Sequence, residues 1–448
     1  MPIAEYPIDR NLAPRSIAAS PAGWLWVTTD NNALVQINKS DPFTQNVHDK
    51  LIPQYTGGIL QDPTGRKVVW FASPAGQQDH DPVYEFDTEV CRIVNKHNLQ
   101  ENSQAQAVSS IRFKTSGEAS APRKDYILFA EPMHTSVGFV EVGQDGANYH
   151  SLPTGTDEFS TWLAGVAATL NETQTEYTYW ATGQKHASPA RKTNGLYTYT
   201  PAAADAQWRR IPLPGGAEQV PGDIVAGVIE EDGTQNPYLW ISARNPNQVL
   251  RYDIRNSSWT VSSTITGEPR QLAFGPDGNI WLAGTDKIYR FSKDVSLPLL
   301  PTRALPSGSE AHGICLDETD KFFWYTDPKA HKIGKFPIPD EPETLIGRTR
   351  LLEQTVKVVR PGEVADVPLV AEFVAGGDPT PGVPLTCKIT SKETVFLDGH
   401  RQRVITTDAT GQIAFPAVQA GNAEEGVVLE VAWGKNEPAI SAVLDVRN

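Results

Sequence analysis

Residues 272–291 read LAFGPDGNIWLAGTDKIYRF, three short apolar segments separated by turn residues. Leu272–Phe274 and Ile280–Ala283 flank the tetrapeptide Gly-Pro-Asp-Gly, which is typical of a tight turn between two strands. Lys287–Phe291 then alternates polar and apolar side chains, the pattern of a further strand. This stretch predicts three consecutive antiparallel strands, and the same arrangement occurs along most of the chain.

The apolar centre of this unit occurs seven times. Successive centres are 41 to 60 residues apart, and they are Trp26, Trp70, Leu128, Trp180, Trp240, Trp281 and Trp324. A unit of this length with four short strands is typical of a β-propeller blade. The sequence therefore predicts an all-β chain in which residues 1–340 form a seven-bladed β-propeller. Ile3–Ile8 resembles an outermost strand without its own blade, so we expect it to complete the last blade and close the ring.

The last hundred residues lack this tryptophan-centred pattern. Residues 350–448 contain short strand-like segments, among them Asp366–Phe373 and Val427–Trp433. The stretch Thr406–Phe415, TTDATGQIAF, resembles the turn and strand signature of bacterial immunoglobulin-like domains of the invasin type. We expect residues 350–448 to form an immunoglobulin-like β-sandwich, since its length is close to that of such a domain. A spacer or adhesive arm is the usual role of such a module.

Composition excludes several classes of partner. The chain of 448 residues has 39 Lys plus Arg against 53 Asp plus Glu, a net charge of −14. Nucleic acids and anionic membranes require a basic surface, so neither is expected as the main partner. The apolar runs are of strand length, shorter than the roughly 18 residues of a membrane span.

The three cysteines and the chain start bear on the compartment. Cys91, Cys315 and Cys387 are far apart, without the spacing of a disulfide framework or a zinc site. The start, MPIAEYPIDRNL, lacks a basic segment followed by an apolar one, the pattern of a secretory signal. A cytoplasmic location is the expectation, and export by a signal-independent route stays open.

The strand that begins each blade suggests where a ligand could bind. Aligning these strands on Gly313-Ile314 puts one residue of each blade in a ring near the propeller mouth; the ring is Arg15, Gly57, Ser109, Ala164, Ala226, Arg270 and His312. Glu268 and Glu310 stand two residues before Arg270 and His312. Charged groups from adjacent blades are therefore expected to lie together.

This cluster allows more than one role. A Glu beside a His can raise the pKa of the imidazole and support general acid/base chemistry, while a carboxylate can anchor a divalent cation. The alternative is a set of polar residues that line a wet central channel. His331 lies in a loop between the second and third strands of its blade, so it is expected on the same face as His312.

Three segments resemble virginiamycin B lyase, the streptogramin lyase family. They are Gly275–Trp281, Asp327–Phe336 and Glu310-Ala-His-Gly-Ile314. The resemblance implies a seven-bladed propeller that opens a cyclic depsipeptide lactone by Mg²⁺-assisted elimination. It also implies that Glu310 is the metal-associated carboxylate and that His312 is a general acid/base, with Mg²⁺ as the cofactor.

One position departs from the family pattern. The family has a second histidine one blade earlier, and the matching residue here is Arg270. Arginine does not exchange a proton near neutral pH, but it can hold a carboxylate by two hydrogen bonds. Two hypotheses follow: a binding propeller that holds a peptide, glycan or protein ligand at its mouth through Arg15, Glu268, Arg270 and His331, or a lyase acting on a cyclic or ester-linked substrate through Glu310 and His312.

Overall fold

The computed structural model shows an all-β chain in two units, residues 1–338 and 339–448. It describes residues 3–447 apart from 10, 21–22, 31–32, 49–57, 73–82, 98–104, 106, 117, 119, 133, 154–156, 160, 172, 186–192, 204–205, 232–233, 276–278, 293–294, 296–297, 306–307, 318–321, 338–343, 350–355, 368, 376–377, 380–382, 409 and 433–439. Among these residues, no helix has the length and apolar character needed to cross a membrane.

The first unit begins with β1 (Ala4–Pro7), and its next strands form three antiparallel four-stranded sheets in chain order. These sheets, blades one to three, are β2 (Pro14–Ala19), β3 (Trp24–Thr29), β4 (Leu34–Asn38) and β5 (Gln45–His48); β6 (Ile59–Gln61), β7 (Val68–Ala72), β8 (Val83–Asp87) and β9 (Arg92–His97); and β10 (Val108–Lys114), β11 (Arg123–Glu131), β12 (Ser136–Glu141) and β13 (Asn148–Ser151).

Blades four to seven continue the series. They are β14 (Trp162–Leu170), β15 (Tyr177–Gln184), β16 (Gly195–Tyr199) and β17 (Arg209–Ile211); β18 (Val220–Glu231), β19 (Thr234–Arg244), β20 (Gln248–Asp253) and β21 (Ser258–Val261); β22 (Pro269–Phe274), β23 (Ile280–Gly284), β24 (Lys287–Phe291) and β25 (Pro298–Ala304); and β26 (Ile314–Asp317), β27 (Phe322–Asp327) and β28 (Lys332–Pro337) with β1. Two short 3₁₀ turns lie at Asp157–Phe159 and Gly216–Glu218.

Strand β1 belongs to the sheet of the last blade. Strand β1 pairs antiparallel with β28, with Glu5 opposite Gly334. The Glu5 carboxylate accepts hydrogen bonds from Tyr325 Oη at 2.9 Å and Lys332 Nζ at 2.9 Å. The first and last segments of the propeller are thereby joined in one sheet, which closes the ring.

The tryptophans occupy the interfaces between blades. Five of the six tryptophans at the predicted centres are at most 1% exposed, and each packs against the blade that follows it. Trp281, for example, lies 4.4 Å from the Phe323 ring of blade seven, and Trp240 lies 5.5 Å from the Phe274 ring of blade six. Because six of the seven blades use the same contact, the tryptophan repeat in the sequence indicates how the ring is assembled.

Gly334 makes room for an aromatic ring. A Cβ at this position would lie 2.2 Å from two atoms of the buried Tyr325 ring. We expect Gly334→Ala to lower the free energy of unfolding by about 2 kcal/mol, since the ring is held by Glu5 and must move. Urea unfolding measures the change. The double variant Gly334→Ala/Tyr325→Leu tests the cause, and a loss that stays the same when the ring is absent contradicts the explanation.

The second unit contains twelve strands in the described ranges: β29 (Thr344–Thr349), β30 (Val356–Val359), β31 (Val364–Ala365), β32 (Leu369–Ala375), β33 (Asp378–Pro379), β34 (Pro384–Thr390), β35 (Val395–Phe396), β36 (Gln402–Thr406), β37 (Gln412–Ala414), β38 (Val418–Gln419), β39 (Glu424–Ala432) and β40 (Ile440–Val446). One sheet has the order β30-β40-β39-β34-β36, and β32 pairs with β29, β33 and β37 in another. Strand β29 begins before residue 350, so this unit starts earlier than the sequence predicts.

Candidate functional site

The inner strand of several blades begins with a bulge. We define the mouth as the face where β2, β14, β18 and β22 begin and where their partners β3, β15, β19 and β23 end. The pairing register shifts between Pro14 and Ile17 in blade one and between Pro269 and Leu272 in blade six. A bulge bends the strand and redirects a side chain. Here it redirects Arg15 and Arg270, and in blade seven His312 and Gly313 stand directly before β26.

In blades one, five and seven, a hydroxyl on the second strand supports the start of the inner strand. It accepts the backbone N–H of the residue after the ring position, as seen in the pairs Ser16–Thr28 at 3.1 Å, Asp223–Ser242 at 2.9 Å and Gly313–Thr326 at 2.8 Å. Thr326 also donates its hydroxyl to the Arg15 carbonyl at 2.6 Å, across the seam between blades seven and one. The ring residues are therefore held by neighbouring blades.

Two of the predicted ring positions are in the wrong register. In blade five Val225 faces Trp240, as Ala18 faces Trp26 in blade one. Val228 lies three residues beyond this position, too far along the strand to be the match. The ring residue is therefore Gly222, and Ala226 lies on the far side of the centre. In blade three Ser109 itself faces the centre, Leu128, so the matching position is residue 106. Residues 57 and 106 lie outside the described ranges.

Asp223 follows the ring residue Gly222 and was not predicted from the sequence. Its Oδ2 accepts the backbone N–H of Leu272 in blade six at 2.8 Å. Gln271 makes the same contact one blade later, accepting the N–H of Ile314 at 3.2 Å. Burial raises the pKa of Asp223 to about 6. The segment Pro221-Gly-Asp-Ile224 could have been matched to Pro269-Arg-Gln-Leu272, which has the same proline spacing.

Glu268 lies between two arginines at the mouth. One carboxylate oxygen is 2.9 Å from Arg244 Nη1 and the other is 3.0 Å from Arg270 Nη2. Arg244 also approaches Gln184 Oε1 at 3.5 Å. Blades four, five and six each contribute to this chain of contacts, and the side chains of Arg244, Arg270 and Glu268 stay 33–38% exposed. The two guanidinium groups therefore keep N–H donors accessible to a ligand.

Arg15 forms a second charged pair in blade one. Its Nε and Nη2 bind the two carboxylate oxygens of Asp30 at 2.6 and 2.5 Å, a bidentate contact. The Arg15 side chain is 38% exposed. Since Asp30 engages one side of the guanidinium, Nη1 is left for another partner, and the pairing fixes the direction of the group.

His312 lies between these charged pairs. Burial and the positive charges of Arg15 and Arg270 lower the pKa of His312 to about 4, although a hydrogen bond to the Arg15 backbone opposes the shift. Nδ1 is buried and has no hydrogen-bond partner among the described residues. His312 is therefore neutral at pH 7, a state that the charges of Arg15 and Arg270 favour and that of Asp30 opposes.

The remaining predicted residues are engaged elsewhere. Glu310 binds Lys329 Nζ at 2.6 Å, and the side chains of the two residues are 38% and 57% exposed. His331 Nδ1 lies 2.9 Å from the Leu12 carbonyl, and its own carbonyl accepts the N–H of Ile8. His331 thus connects the segment after β1 to blade seven.

The arrangement around Glu310 does not fit a Mg²⁺ site. Its carboxylate faces an ammonium group, whose positive charge opposes a divalent cation. Within the described part of the chain, no group of three His, Cys, Asp or Glu side chains is placed to hold a metal ion. No step of a reaction is therefore assigned to the metal.

The fold and this site define a β-propeller with a charged mouth. Neither the family models nor the curated proteins include a match to the chain. Virginiamycin B lyase from Staphylococcus aureus is a structural neighbour with 19% identity and a TM-score of 0.54, covering 75% of this chain and 98% of its own. A streptogramin B lyase structure has 16% identity and a TM-score of 0.52, covering 74% and 96%.

A propeller that is not described as a lyase is similar to a comparable degree. The β-propeller domain of Myceliophteria thermophila Cps50 (Swd1) has 8% identity and a TM-score of 0.50, covering 74% of this chain and 99% of its own. Identities this low show the propeller fold alone, and the resemblance to the lyases carries no further than that fold.

Proposed function

We propose that the chain is a binding protein whose propeller holds a peptide, glycan or protein ligand at its mouth, with an anionic group of the ligand placed against Arg270, Arg244 and Arg15. The observation that carries this proposal is Glu268, which orients two guanidinium groups at 2.9 and 3.0 Å while a third of each stays exposed. Arginines held in this way bind carboxylates with two hydrogen bonds and little loss of side-chain entropy.

The properties of His312 support binding over acid/base catalysis. General acids and bases are most effective when their pKa is close to the working pH. With a pKa lowered to about 4, His312 is neutral at pH 7 and a weak base. It can still accept a hydrogen bond from a ligand without adding a charge.

The binding proposal predicts a preference for carboxylates. On an array of peptides with a free C-terminal carboxylate and the same peptides with a C-terminal amide, we expect the full chain to retain the carboxylate forms. Arg270→Gln is expected to weaken their binding about 10- to 100-fold, or about 1.4–2.7 kcal/mol, because a charge-assisted contact is lost.

Arg92→Gln is the matched control, since Arg92 is an exposed arginine of β9 in blade two. Its affinity is expected to equal that of the wild type. Equal binding of carboxylate and amide peptides, or an Arg270→Gln variant with unchanged affinity, would contradict the proposal.

A lyase is the alternative function. It is favoured by the spacing of Glu310 and His312 and by the two lyases among the structural neighbours. One neighbour is a catalytically inactive histidine-to-alanine variant of the S. aureus enzyme with quinupristin. Incubating the full chain with quinupristin and Mg²⁺ tests this function by mass spectrometry. If the wild type opens the quinupristin macrocycle and His312→Ala does not, the lyase function is established. We expect the macrocycle to stay intact.

We propose, in addition, that the second unit is an immunoglobulin-like β-sandwich that serves as an arm. The pairing order β30-β40-β39-β34-β36, in which β30 runs parallel to the last strand, supports this assignment. Its buried residues include Leu385, Cys387 and Val431, which alternate with less buried positions along their strands.

A further inference from the structure

Three consecutive blades extend on the face opposite the mouth, which we call the base. The inner strand of each of these blades continues past the residue that faces the blade centre. Strand β10 continues by five residues to Lys114, β14 by three to Leu170 and β18 by six to Glu231. The inner strands of the other four blades end after one or two residues. Closure of the ring does not require this extension, because those four blades close without it.

A cavity of about 840 Å³ lies among the extended hairpins. Its wall includes Ile111 and Arg112 of β10, Thr169 and Leu170 of β14, Val228 of β18, and Arg255. We call it the base groove. Among the described residues that line it, none is aromatic, and an aromatic face is what a sugar ring or a planar base stacks on. The groove is therefore better suited to an aliphatic and hydrogen-bonding ligand.

The groove is bordered by strand edges. In each blade the inner strand has a neighbour in its sheet on one side, so β10, β14 and β18 present a second edge towards the centre of the ring. Such an edge carries backbone N–H and C=O groups that an added strand can bind. The N–H of Lys114 donates to the carbonyl of Gln174 at 2.7 Å, which joins the hairpins of blades three and four into one wall.

The side chains give the groove an apolar contact and a guanidinium group bound to a neutral amide. Val228 is 51% exposed, a high value for a valine that lines a cavity. Arg255 donates to the neutral amide of Asn236 at 3.1 Å, while Arg112 binds Asp125 at 2.6 Å. Glu176 is the acidic residue of the lining. Among the described residues no carboxylate pairs with Arg255, and its charge complements a carboxylate.

We propose that the base groove binds an extended peptide of a partner protein, which pairs with the edge of β14 or β18, places an aliphatic side chain on Val228 and an acidic side chain at Arg255. This site is separate from the mouth and does not depend on the function proposed for it. Strand addition supplies affinity through the backbone, and the alternate side chains supply specificity.

The test uses the full chain and labelled eight-residue peptides in which valine alternates with glutamate, lysine or serine. Fluorescence anisotropy is expected to show saturable binding of the valine–glutamate peptide, weakened at least 10-fold by Val228→Asp and by Arg255→Gln. Val90→Asp and Arg92→Gln are the matched controls, because they change exposed residues of blade two, and both are expected to bind as the wild type does. Hydrogen exchange is expected to slow in β14 or β18 when the peptide is bound.

Several outcomes would overturn the proposal. They are the absence of saturable binding to all three peptides, tighter binding of the lysine peptide, and unchanged exchange in both strands. The lysine peptide is a direct check on charge, since Arg255 is proposed to bind an acidic side chain and repels a basic one. Arg255→Gln changes an exposed side chain, so its result does not depend on whether Val228→Asp folds. Equal affinity of Arg255→Gln and wild type would also exclude the acidic contact.

Discussion

Asp317→Ala is expected to lower the free energy of unfolding by about 3–5 kcal/mol, the typical cost of removing one partner of a buried ion pair. Asp317, the last residue of β26, binds Lys39 Nζ of blade one at 2.8 Å. Both side chains are 2% exposed. Without Asp317, the Lys39 ammonium loses its carboxylate in a place that water hardly reaches. Urea unfolding of the full chain measures the change.

The double variant Lys39→Met/Asp317→Leu separates the charge from the packing. Replacing both partners by apolar side chains of similar size is often neutral or stabilising, so most of the loss is expected to be recovered. If the double variant is as unstable as Asp317→Ala, the pair acts through shape and not through charge. A loss below about 1 kcal/mol in Asp317→Ala would place the pair in the range of an exposed ion pair.

The second large effect is a change of stability with pH that depends on His312. Its pKa is lowered from 6.5 to about 4 in the folded chain. The folded state therefore resists protonation, and the stability that neutral His312 contributes is complete above pH 6.5 and lost as the pH falls to 4. This loss amounts to about 3 kcal/mol, at 1.36 kcal/mol for each pKa unit. In His312→Gln it is expected to be absent.

Asp223 acts in the opposite direction. Its pKa is raised from 3.8 to about 6, so ionisation is unfavourable in the folded state above pH 6. This penalty is removed as the pH falls from 6 to 3.8, which offsets part of the loss at His312. We expect the free energy of unfolding of the wild type to fall little between pH 6.5 and 4. Over the same range, that of His312→Gln is expected to rise relative to the wild type, and that of Asp223→Asn is expected to fall relative to it.

Unfolding of the three proteins at several pH values measures these differences. Ionisable groups that the three share contribute equally and cancel when each variant is compared with the wild type. Asn at position 223 can still accept the N–H of Leu272, so that comparison reports the charge. Parallel pH profiles of wild type and His312→Gln would show that His312 is not shielded by burial and by the two arginines.

Much of the propeller could be predicted from the sequence because its signals are local. The alternation of apolar side chains, the turn residues and the tryptophan at each centre recur within each unit, as in residues 272–291. The register of the inner strands could not be predicted to the residue. In blade five Ala226-Gly-Val228 repeats the Ala164-Gly-Val166 of blade four, and this local match placed the expected ring residue at Ala226, four positions after Gly222.

The candidate site was predicted in part. The sequence indicated Arg15, Glu268, Arg270 and His312. In the structure, each of the first three binds a side chain of opposite charge. Arg244 and Asp30 were not predicted from the sequence. Both lie at the ends of second strands, whereas the predicted ring came from the strands that begin each blade. The pKa of His312 also depends on Arg15, which is 297 positions away along the chain.

The sequence alone determined the all-β class, the repeated blade and the presence of a second unit, because hydrophobic period and turn chemistry act over a few residues. Only the tertiary structure decided which charges meet. Closing the ring brings Lys39 to Asp317 and Arg15 to His312, and it aligns the hairpins of blades three to five around the base groove. These contacts join residues from different blades, and their energies depend on distance and burial that no local pattern contains.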